Sequence, residues 1–232
     1  MSAERILQAG PVCIYEILDS GEDRRIDALL DLYATLFPKY IHYVPRLRSR
    51  AQYPVNHRPG QFVHYWLVEV DGVPAGFRIF RYLESRRCGL AHALGILPVF
   101  RNVRIHEQRL SEFVIYQCLF QILRDATSNH LECLGMVNEV ESERLMTHYE
   151  QMGIRRLPIA YFEPIFHPTG IEFESRILGF LPAPGIDLNT LDAEMLINFA
   201  LAFLVDHYGL SIDHPIVQQV IHSVQGQHIW IK

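Results

Sequence analysis

Leu97–Leu123 has the sequence LPVFRNVRIHEQRLSEFVIYQCLFQIL, which combines the end of a strand, a tight turn and a long helix. Apolar residues recur at helical spacing after the turn and predict a helix from Ile105 to about Asp125. A helix N-terminus suits an anion, because its first N–H groups have no partner within the helix and its dipole is positive there. The turn itself, residues 101–106, contains two arginines and a histidine but no glycine.

The chain before this stretch predicts a strand, a helix and a hairpin. Val12–Leu18 is strand-like, and an amphipathic helix follows until Pro38 ends its pattern. In Phe62–Leu83, two strand-like runs flank Asp71-Gly72, which suits a tight turn because both residues can adopt a positive φ. We therefore expect antiparallel strands on either side of this dipeptide.

Strands and helices alternate in the centre of the chain. Cys88–Leu97 and Leu131–Val137 are strand-like and flank the long helix, and Gly153 closes a further helix. The strand–helix–strand order implies that these two strands run parallel through a right-handed crossover. Leu157–Ile165 and Ile171–Leu181 are two more strand-like stretches. The predicted class is α+β (mixed α/β), with a mixed, mostly antiparallel central sheet, flanking helices and two extra C-terminal helices.

The last fifty residues differ in composition and predict two apolar helices. The first helix is capped near Asn189 or Thr190 and ends at Gly209. The second has Asp213 as its N-cap, Pro215 in its first turn and Gly226 at its end. The apolar stripe Ile216–Val224 must be buried somewhere. We therefore predict a main domain of residues 1–181 and a helical extension of residues 182–232. We expect the extension to pack on that domain or on a partner subunit. In the second case it would form the contact of a homodimer.

Composition and charge argue against several classes of protein. The 232 residues are 49% hydrophobic and 20% charged with a formal net charge of −5, which gives no support for a nucleic-acid partner. The four cysteines lack metal-ligand spacing and the 12 histidines include no HExxH motif, so we expect no metal. No apolar run reaches the roughly 18 residues of a membrane span, and the N-terminus lacks a signal-peptide pattern. We expect a cytoplasmic protein without a membrane partner.

Three motifs in this order resemble the GNAT N-acetyltransferase superfamily over roughly Val12–Leu181. They are the hairpin WLVEVDGVPAGFRIF, the strand–turn–helix LGILPVFRNVRIHEQRL, and ERLMTHYEQMGI, which is similar to the family's helix with a tyrosine and a following glycine pair. In the second motif the family has a proline-containing strand end followed by [RQ]xxGx[GA]. Here Arg101 fills the [RQ] position, but Arg104 and His106 replace the glycines. The chain is therefore identified as a divergent member that lacks the pyrophosphate-loop glycines.

The resemblance implies that acetyl-CoA, or another acyl-CoA, binds as co-substrate between the two parallel strands, with its pyrophosphate on the turn. An amine attacks the thioester directly, and Tyr149 protonates the departing thiolate; the alternative for Tyr149 is simple packing at a helix end. The implied CoA-binding residues are Leu97, Arg101, Asn102, Val103, Arg104, Ile105, His106, Asn138 and Ser142. Helix capping is the alternative for Asn138 and Ser142. The turn has two interpretations, a site assisted by arginine side chains and a blocked site.

The acceptor side is less defined by the sequence. Glu69, Glu132 and His92 are candidate general bases, and none of them can be assigned. The arginines of Arg46–Arg50 favour an acidic or carboxylate-bearing acceptor, or else form a solvent-facing loop. The predicted function is acyl-CoA-dependent N-acyl transfer to a small amine. Two alternatives are a GNAT-fold binding protein without catalysis, and a variant that uses a carrier-protein-bound or unusual acyl group.

Overall fold

The computed structural model describes residues 3–21, 23–53, 60–167, 169–188 and 191–224. The strands are β1 (Glu4–Ala9), β2 (Val12–Glu16), β3 (Gln61–Val70), β4 (Val73–Leu83), β5 (Cys88–Ile96), β6 (Arg104–Ile105), β7 (Gln108–Arg109), β8 (Gly135–Val140), β9 (Arg155–Arg156), β10 (Tyr161–His167) and β11 (Gly170–Pro182). The helices are α1 (Arg24–Leu36), α2 (Val44–Gln52), α3 (Leu110–Ser128), α4 (Glu143–Glu150), α5 (Ala193–Leu201) and α6 (Pro215–Val224). The mixed α+β class with a mostly antiparallel sheet is confirmed.

The chain forms two compact units. The first contains Met1–Arg81 and Ala91–Gln121, and the second contains Tyr82–Leu90 and Ile122–Lys232. No helix among the described residues is long and apolar enough to cross a membrane. The predicted division into residues 1–181 and 182–232 is a different division of the chain, and it stays a prediction.

In the first unit the strands follow the order β1-β2-β3-β4-β5. Strand β1 was missed by the sequence analysis, and it pairs antiparallel with β2, which in turn pairs antiparallel with β3. The predicted hairpin turn is confirmed, because Asp71 has a φ of 50° and Gly72 a φ of 76° between β3 and β4. Helix α1 packs on this sheet through buried residues, and the Tyr33 ring lies 5.5 Å from the Phe77 ring.

The helix predicted from Ile105 begins later, at Leu110. The preceding residues pair in a short hairpin of β6 and β7, in which Arg104 is opposite Arg109. His106 at its turn has a φ of 53°, a left-handed conformation that an α-helix does not contain. The N–H group of Leu110 donates to the carbonyl of Val103 at 2.9 Å. The hairpin therefore replaces the first turn of the predicted helix.

In the second unit the strands follow the order β5-β8-β11-β10, and β9 pairs with β11. Strand β11 is antiparallel to both β8 and β10. The N–H group of Leu134, just before β8, donates to the carbonyl of Arg87, just before β5, at 2.8 Å. These two neighbouring strands start together and run parallel, as predicted. However, β8 starts at Gly135 and not at Leu131.

Helices cover both faces of the second unit's sheet. One face is covered by α4 and the residues that follow it: a Cβ on Gly179 would lie 3.6 Å from the sulfur of Met146 in α4 and only 2.8 Å from the side chain of Ile154 after it. On the other face, α5, the π-helical segment Ala202–His207 and α6 share one core with β8, β10 and β11. The buried rings of Phe180 and Phe199 stack there with centroids 4.7 Å apart.

The ends of the C-terminal helices differ in part from the prediction. Helix α5 is capped by Asp192, whose carboxylate accepts the N–H of Met195 at 2.8 Å. The predicted caps Asn189 and Thr190, and the predicted stop Gly226, lie outside the described residues. Helix α6 begins at Pro215, in agreement with a proline in its first turn.

Candidate active site

The turn from Arg101 to His106 lies in the first unit and presents its arginines to solvent. The Arg101 Nε donates to the carbonyl of Ile96 at 3.2 Å, and the Arg104 Nη1 donates to the carbonyl of Glu107 at 2.8 Å. Main-chain carbonyls therefore orient both guanidinium groups. Arg109, at the end of the hairpin, is also exposed and gives a third cation immediately before α3.

The backbone of this turn is less open than expected. The N–H of Arg101 donates to the carbonyl of Pro98 at 3.3 Å, and the N–H of Val103 donates to the carbonyl of Phe100 at 3.1 Å. Both N–H groups therefore serve the turn itself. Contact of a phosphate with main-chain N–H groups between Arg101 and Glu107 stays a prediction.

The other predicted residues of the turn differ in exposure. Asn102 and His106 are exposed, whereas Ile105 is only 4% exposed and anchors the hairpin in the core. Leu97 is half-buried immediately after β5, and its N–H donates to the carbonyl of Ala75 at 2.9 Å. The exposed side chains of this turn are therefore the groups that can contact an anion.

His92 lies in β5 in a strongly cationic environment within the first unit. Burial lowers its pKa to about 3, and the charges of four arginines add to the effect; they are Arg81, Arg78, Arg46 and Arg50. A histidine with so low a pKa stays neutral at physiological pH and is a weak proton acceptor. His92 is therefore unsuited to the role of general base near neutral pH.

The two glutamates considered as bases are held in ion pairs. Glu69 is 8% exposed and accepts from the Nε of Arg25 at 3.1 Å, and the same guanidinium lies 3.9 Å from the centre of the Tyr15 ring. Glu132 pairs with Arg87 at 2.8 Å on the surface. Both carboxylates have structural partners.

Three predicted site residues lie in the second unit, on β8 and α4. Ser142 is the N-cap of α4, and its hydroxyl oxygen accepts the N–H of Leu145 at 3.3 Å. Asn138 is 3% exposed in β8, and Tyr149 is half-buried in the last turn of α4. The carbonyl of Tyr149 accepts the N–H groups of Met152 and Ile154, which close the helix.

The sequence analysis missed a group of polar side chains in the second unit. We call it the carboxyl cluster; its members are Glu139 of β8, Tyr161 and Glu163 of β10, Arg176 of β11, and Tyr208, which follows the π-helical segment. Tyr161 and Tyr208 each donate a hydroxyl hydrogen bond to Glu139, the latter at 2.8 Å. Glu163 accepts from the Nε of Arg176 at 2.7 Å.

The environment of this cluster raises the proton affinity of one member. Burial raises the pKa of Glu139 to about 8, and the nearby charge of Glu163 acts in the same direction. The tyrosine hydroxyls and Arg176 oppose this rise only in part. Burial also raises the pKa of Tyr161 and Tyr208, so both remain donors. In the sequence, Glu139 and Glu163 stand next to apolar residues within strands, and periodicity alone does not distinguish such glutamates from glutamates on the surface.

No metal-binding group of His, Cys, Asp and Glu is found among the described residues. No protein-family model matches the sequence, and no curated protein matches it. The structure resembles an acetyltransferase from Salmonella typhimurium that modifies the N-terminal serine of ribosomal protein L7/L12. That comparison has a TM-score of 0.50 and 11% identity, and covers 78% of this chain and 99% of that one.

A GNAT family acetyltransferase from Elizabethkingia anophelis with acetyl-CoA bound gives a TM-score of 0.47 at 13% identity, over 75% of this chain and 99% of that one. Identities this low compare folds only. Apart from β1, β6, β7 and β9, which were not predicted, the order of strands and of the main helices agrees with the order predicted from the sequence. The chain therefore has the fold of the Salmonella typhimurium acetyltransferase, in agreement with the GNAT-like class that the motifs predicted, and its turn from Arg101 to His106 contains no glycine.

Proposed function

We propose that the protein is an acyl-CoA-dependent N-acyltransferase that uses acetyl-CoA and acts on an amine in the cytoplasm. The observation that carries this proposal is the cationic hairpin at the start of α3, at the position where a GNAT fold receives the pyrophosphate of its donor. Three exposed arginines, Arg101, Arg104 and Arg109, lie within this short segment. Their charge suits a diphosphate, and the N-terminal dipole of the 19-residue helix adds to it.

Arginine side chains replace glycine in this proposal. A guanidinium can form two parallel hydrogen bonds to phosphate oxygens, so contact does not need a phosphate pressed against the backbone. The carbonyls of Ile96 and Glu107 already orient Arg101 and Arg104. Leu97, Asn102, Val103, Ile105 and His106 complete the proposed donor-binding segment. Of these, His106 and Asn102 offer exposed side chains, and Ile105 acts by anchoring the hairpin.

In the second unit we propose Tyr149 as the acid that protonates the thiolate of CoA. It is half-buried in the last turn of α4, and a phenol is a competent donor to a developing thiolate. Asn138 and Ser142 are proposed CoA contacts. The hydroxyl hydrogen of Ser142 can serve a ligand while its oxygen caps α4, because a hydroxyl both donates and accepts.

The acceptor is proposed to be a primary amine on a small molecule. The acetyltransferase from Salmonella typhimurium modifies an N-terminal serine, so the N-terminal amine of a protein is the second candidate acceptor. The buried arginines Arg78 and Arg81, together with Arg46 and Arg50 on α2, favour an acceptor that also bears an anionic group. A carrier-protein-bound or unusual acyl group is the alternative donor.

Calorimetric titration of acetyl-CoA, longer acyl-CoAs and free CoA into the protein tests the proposal. One charge-assisted hydrogen bond contributes about 1.5–3 kcal/mol, so Arg104→Ala is expected to weaken CoA binding roughly ten- to hundredfold. Arg104→Lys keeps the charge but loses the planar guanidinium group, so its affinity for CoA should lie between those of the natural protein and Arg104→Ala. Absence of binding to the natural protein, together with binding gained by Arg104→Gly, would mean that the turn is blocked. The GNAT fold would then serve a binding role without acyl transfer.

A further inference from the structure

One hydrogen-bond donor in the interior of the first unit lacks an acceptor. The side chain of Trp66 in β3 is 1% exposed, and no acceptor for its indole Nε1–H is found among the described residues. Such an arrangement is unfavourable, because the donor loses its hydrogen bonds to water on folding, and native proteins rarely contain it. This N–H group is therefore available to the oxygen of a ligand.

Trp66 lies on the face of the sheet opposite α1. Helix α1 shares a core with alternate residues of the three central strands, which are Tyr65, Leu67, Phe77, Ile79 and Ala93. Successive side chains of a strand point to opposite faces, so the residues between or beside these share the other face. Trp66, Arg78, Phe80 and His92 therefore face the same side of the sheet.

Arg78 of β4 is the direct neighbour of Trp66 on this face. The rings of His64 and Phe80 stack with centroids 4.8 Å apart, and the Trp66 ring lies 4.6 Å from the Phe80 ring. Trp66 and Arg78 each lie two residues closer to the Asp71-Gly72 turn than this stacked pair. The side chains of Trp66 and Arg78 are consequently adjacent across β3 and β4.

Strand β5 adds His92 to the same face. Strands β4 and β5 are antiparallel neighbours, because the short connection Glu84–Arg87 joins them and the N–H of Leu97 donates to the carbonyl of Ala75 at 2.9 Å. Counting from this pair places His92 opposite Phe80. His92 is half-buried, so this face is accessible from the side of β5.

Arg78 brings a positive charge into this interior position. It is 3% exposed, and it is one of the four arginines whose charges help to lower the pKa of His92. Nε of Arg78 and Nδ1 of His92 have no hydrogen-bond partner among the described residues, although both side chains make other interactions. A buried cation is stabilised by an anion, and a neutral imidazole adds a donor in one of its two tautomers.

A carboxylate of the chain on this face already has partners. Glu16 is opposite Trp66 in the pairing of β2 with β3. Its Oε2 lies 2.7 Å from Nδ1 of His64, and its Oε1 accepts the N–H of Tyr65 at 2.9 Å. Its two oxygens therefore serve a histidine and the backbone, and a ligand oxygen is the acceptor that the indole N–H requires.

We propose that this face of the first unit binds the carboxylate group of a small molecule, with the Nε1–H of Trp66 and the Nε–H of Arg78 as donors. A carboxylate has two oxygens in one plane, so each oxygen can accept from one of the two donors. A phosphate dianion would lose more hydration energy on entering a buried site, which favours the singly charged ligand. The aromatic ring of Phe80 beside the donors suits a short apolar group on the ligand.

This inference goes beyond the proposed function, because it concerns ligand binding by the first unit and needs no acyl transfer. The acceptor proposed above, an amine that also bears an anionic group, belongs to this class of ligand. Amines with a carboxylate at the other end are thus the acceptors that the site would favour.

The test is a titration of the full chain, labelled with nitrogen-15, followed through its indole N–H signals by NMR. The sequence contains two tryptophans, so Trp66→Phe assigns the signal of Trp66. Sodium propionate is added at constant ionic strength, with sodium chloride as the balancing salt. We expect a saturable downfield shift of the Trp66 indole proton. Propionamide, which has the same shape without the charge, should cause no such shift.

Two variants test the proposed donors. Arg78→Met removes the guanidinium group and keeps a long side chain, and it is expected to weaken propionate binding roughly ten- to hundredfold. Trp66→Phe removes one neutral donor and should weaken binding roughly two- to tenfold, measured as the propionate concentration that raises Tm. Arg5→Met is the matched control, because Arg5 is an exposed arginine on β1, and it should bind propionate as the natural protein does. If Arg78→Met does not fold, Trp66→Phe still decides the question.

Three results would overturn the inference. They are the absence of a saturable shift with propionate, an equal shift with propionamide, and tighter binding of phosphate or chloride than of propionate. Propionate binding that both variants leave unchanged would place the anion elsewhere and reject this site. No measurement contains CoA, so a failure here leaves the proposed acyl transfer standing, and a failure to bind CoA leaves the carboxylate site standing.

Discussion

Replacing Phe199 with alanine is expected to remove about 3–5 kcal/mol from the free energy of unfolding. Phe199 lies in α5 of the C-terminal extension, is 0% exposed, and stacks on Phe180 of β11 at 4.7 Å. The loss combines the buried ring area with the cavity that remains, because close-packed neighbours relax only in part. A stacked aromatic pair contributes about 0.5–1.5 kcal/mol beyond the effect of its buried area, so a loss in the upper half of the ~3–5 kcal/mol range is expected.

The assay is thermal and denaturant unfolding followed by circular dichroism. For a chain of this size, 1 kcal/mol corresponds to about 2–4 °C in Tm, so Phe199→Ala should lower Tm by roughly 6–20 °C. Ile212→Ala is the matched control, because Ile212 belongs to the same extension but is 45% exposed. This control should stay within about 0.5 kcal/mol of the natural protein. A Phe199→Ala variant as stable as the control would show that the extension is a loose appendage and refute the shared core.

Three further results are expected. Burial and nearby arginines lower the pKa of His92 to about 3, from 6.5 in the unfolded chain, so the stability that neutral His92 contributes is complete above pH 6.5 and is lost as the pH falls towards 3. Between pH 7 and pH 5, His92→Gln should therefore lose less stability than the natural protein, by up to about 2 kcal/mol in denaturant titrations. Gly135→Ala should destabilise by about 1–3 kcal/mol, because its Cβ would lie 2.3 Å from the Leu181 carbonyl oxygen, and Gly185→Ala, which has open space, should cost less in the same assay. Tyr149→Phe should lower kcat by roughly 10²-fold or more without changing acetyl-CoA affinity, and an unchanged kcat would remove Tyr149 as the acid.

Elements whose pattern is local were predictable from the sequence. The hairpin at Asp71-Gly72 depends on two adjacent residues that accept a positive φ, and both have it. The order of strands around α3 followed from short-range periodicity and from the handedness of crossover connections. These features depend on neighbours in the chain, so propensity and spacing carry enough information.

Features that depend on the backbone conformation of one residue were less accessible. The start of α3 was misplaced because His106 adopts φ 53°, which a histidine does only in a small fraction of cases. Strand β1 was missed because its pairing with β2, and not its own pattern of mostly exposed and half-buried residues, defines it. In each case a tertiary contact or a turn conformation outweighed the local signal.

The carboxyl cluster was inaccessible for a different reason, since its members are distant in sequence and one of them depends on an irregular helix. Tyr208 follows the π-helical segment Ala202–His207, and its N–H donates to the carbonyl of Phe203, five residues earlier, at 2.9 Å. One additional residue in a helical turn rotates all later side chains by about 100° relative to a regular α-helix. Phe203 and Leu204 stay in the core before this point, and Tyr208 reaches both carboxyl groups after it. A regular helix with the same sequence would direct the Tyr208 hydroxyl away from Glu139 if Phe203 kept its place. The π-helical segment thus allows the extension to bury Phe203 and Leu204 and still to bring the Tyr208 hydroxyl to the carboxyl cluster.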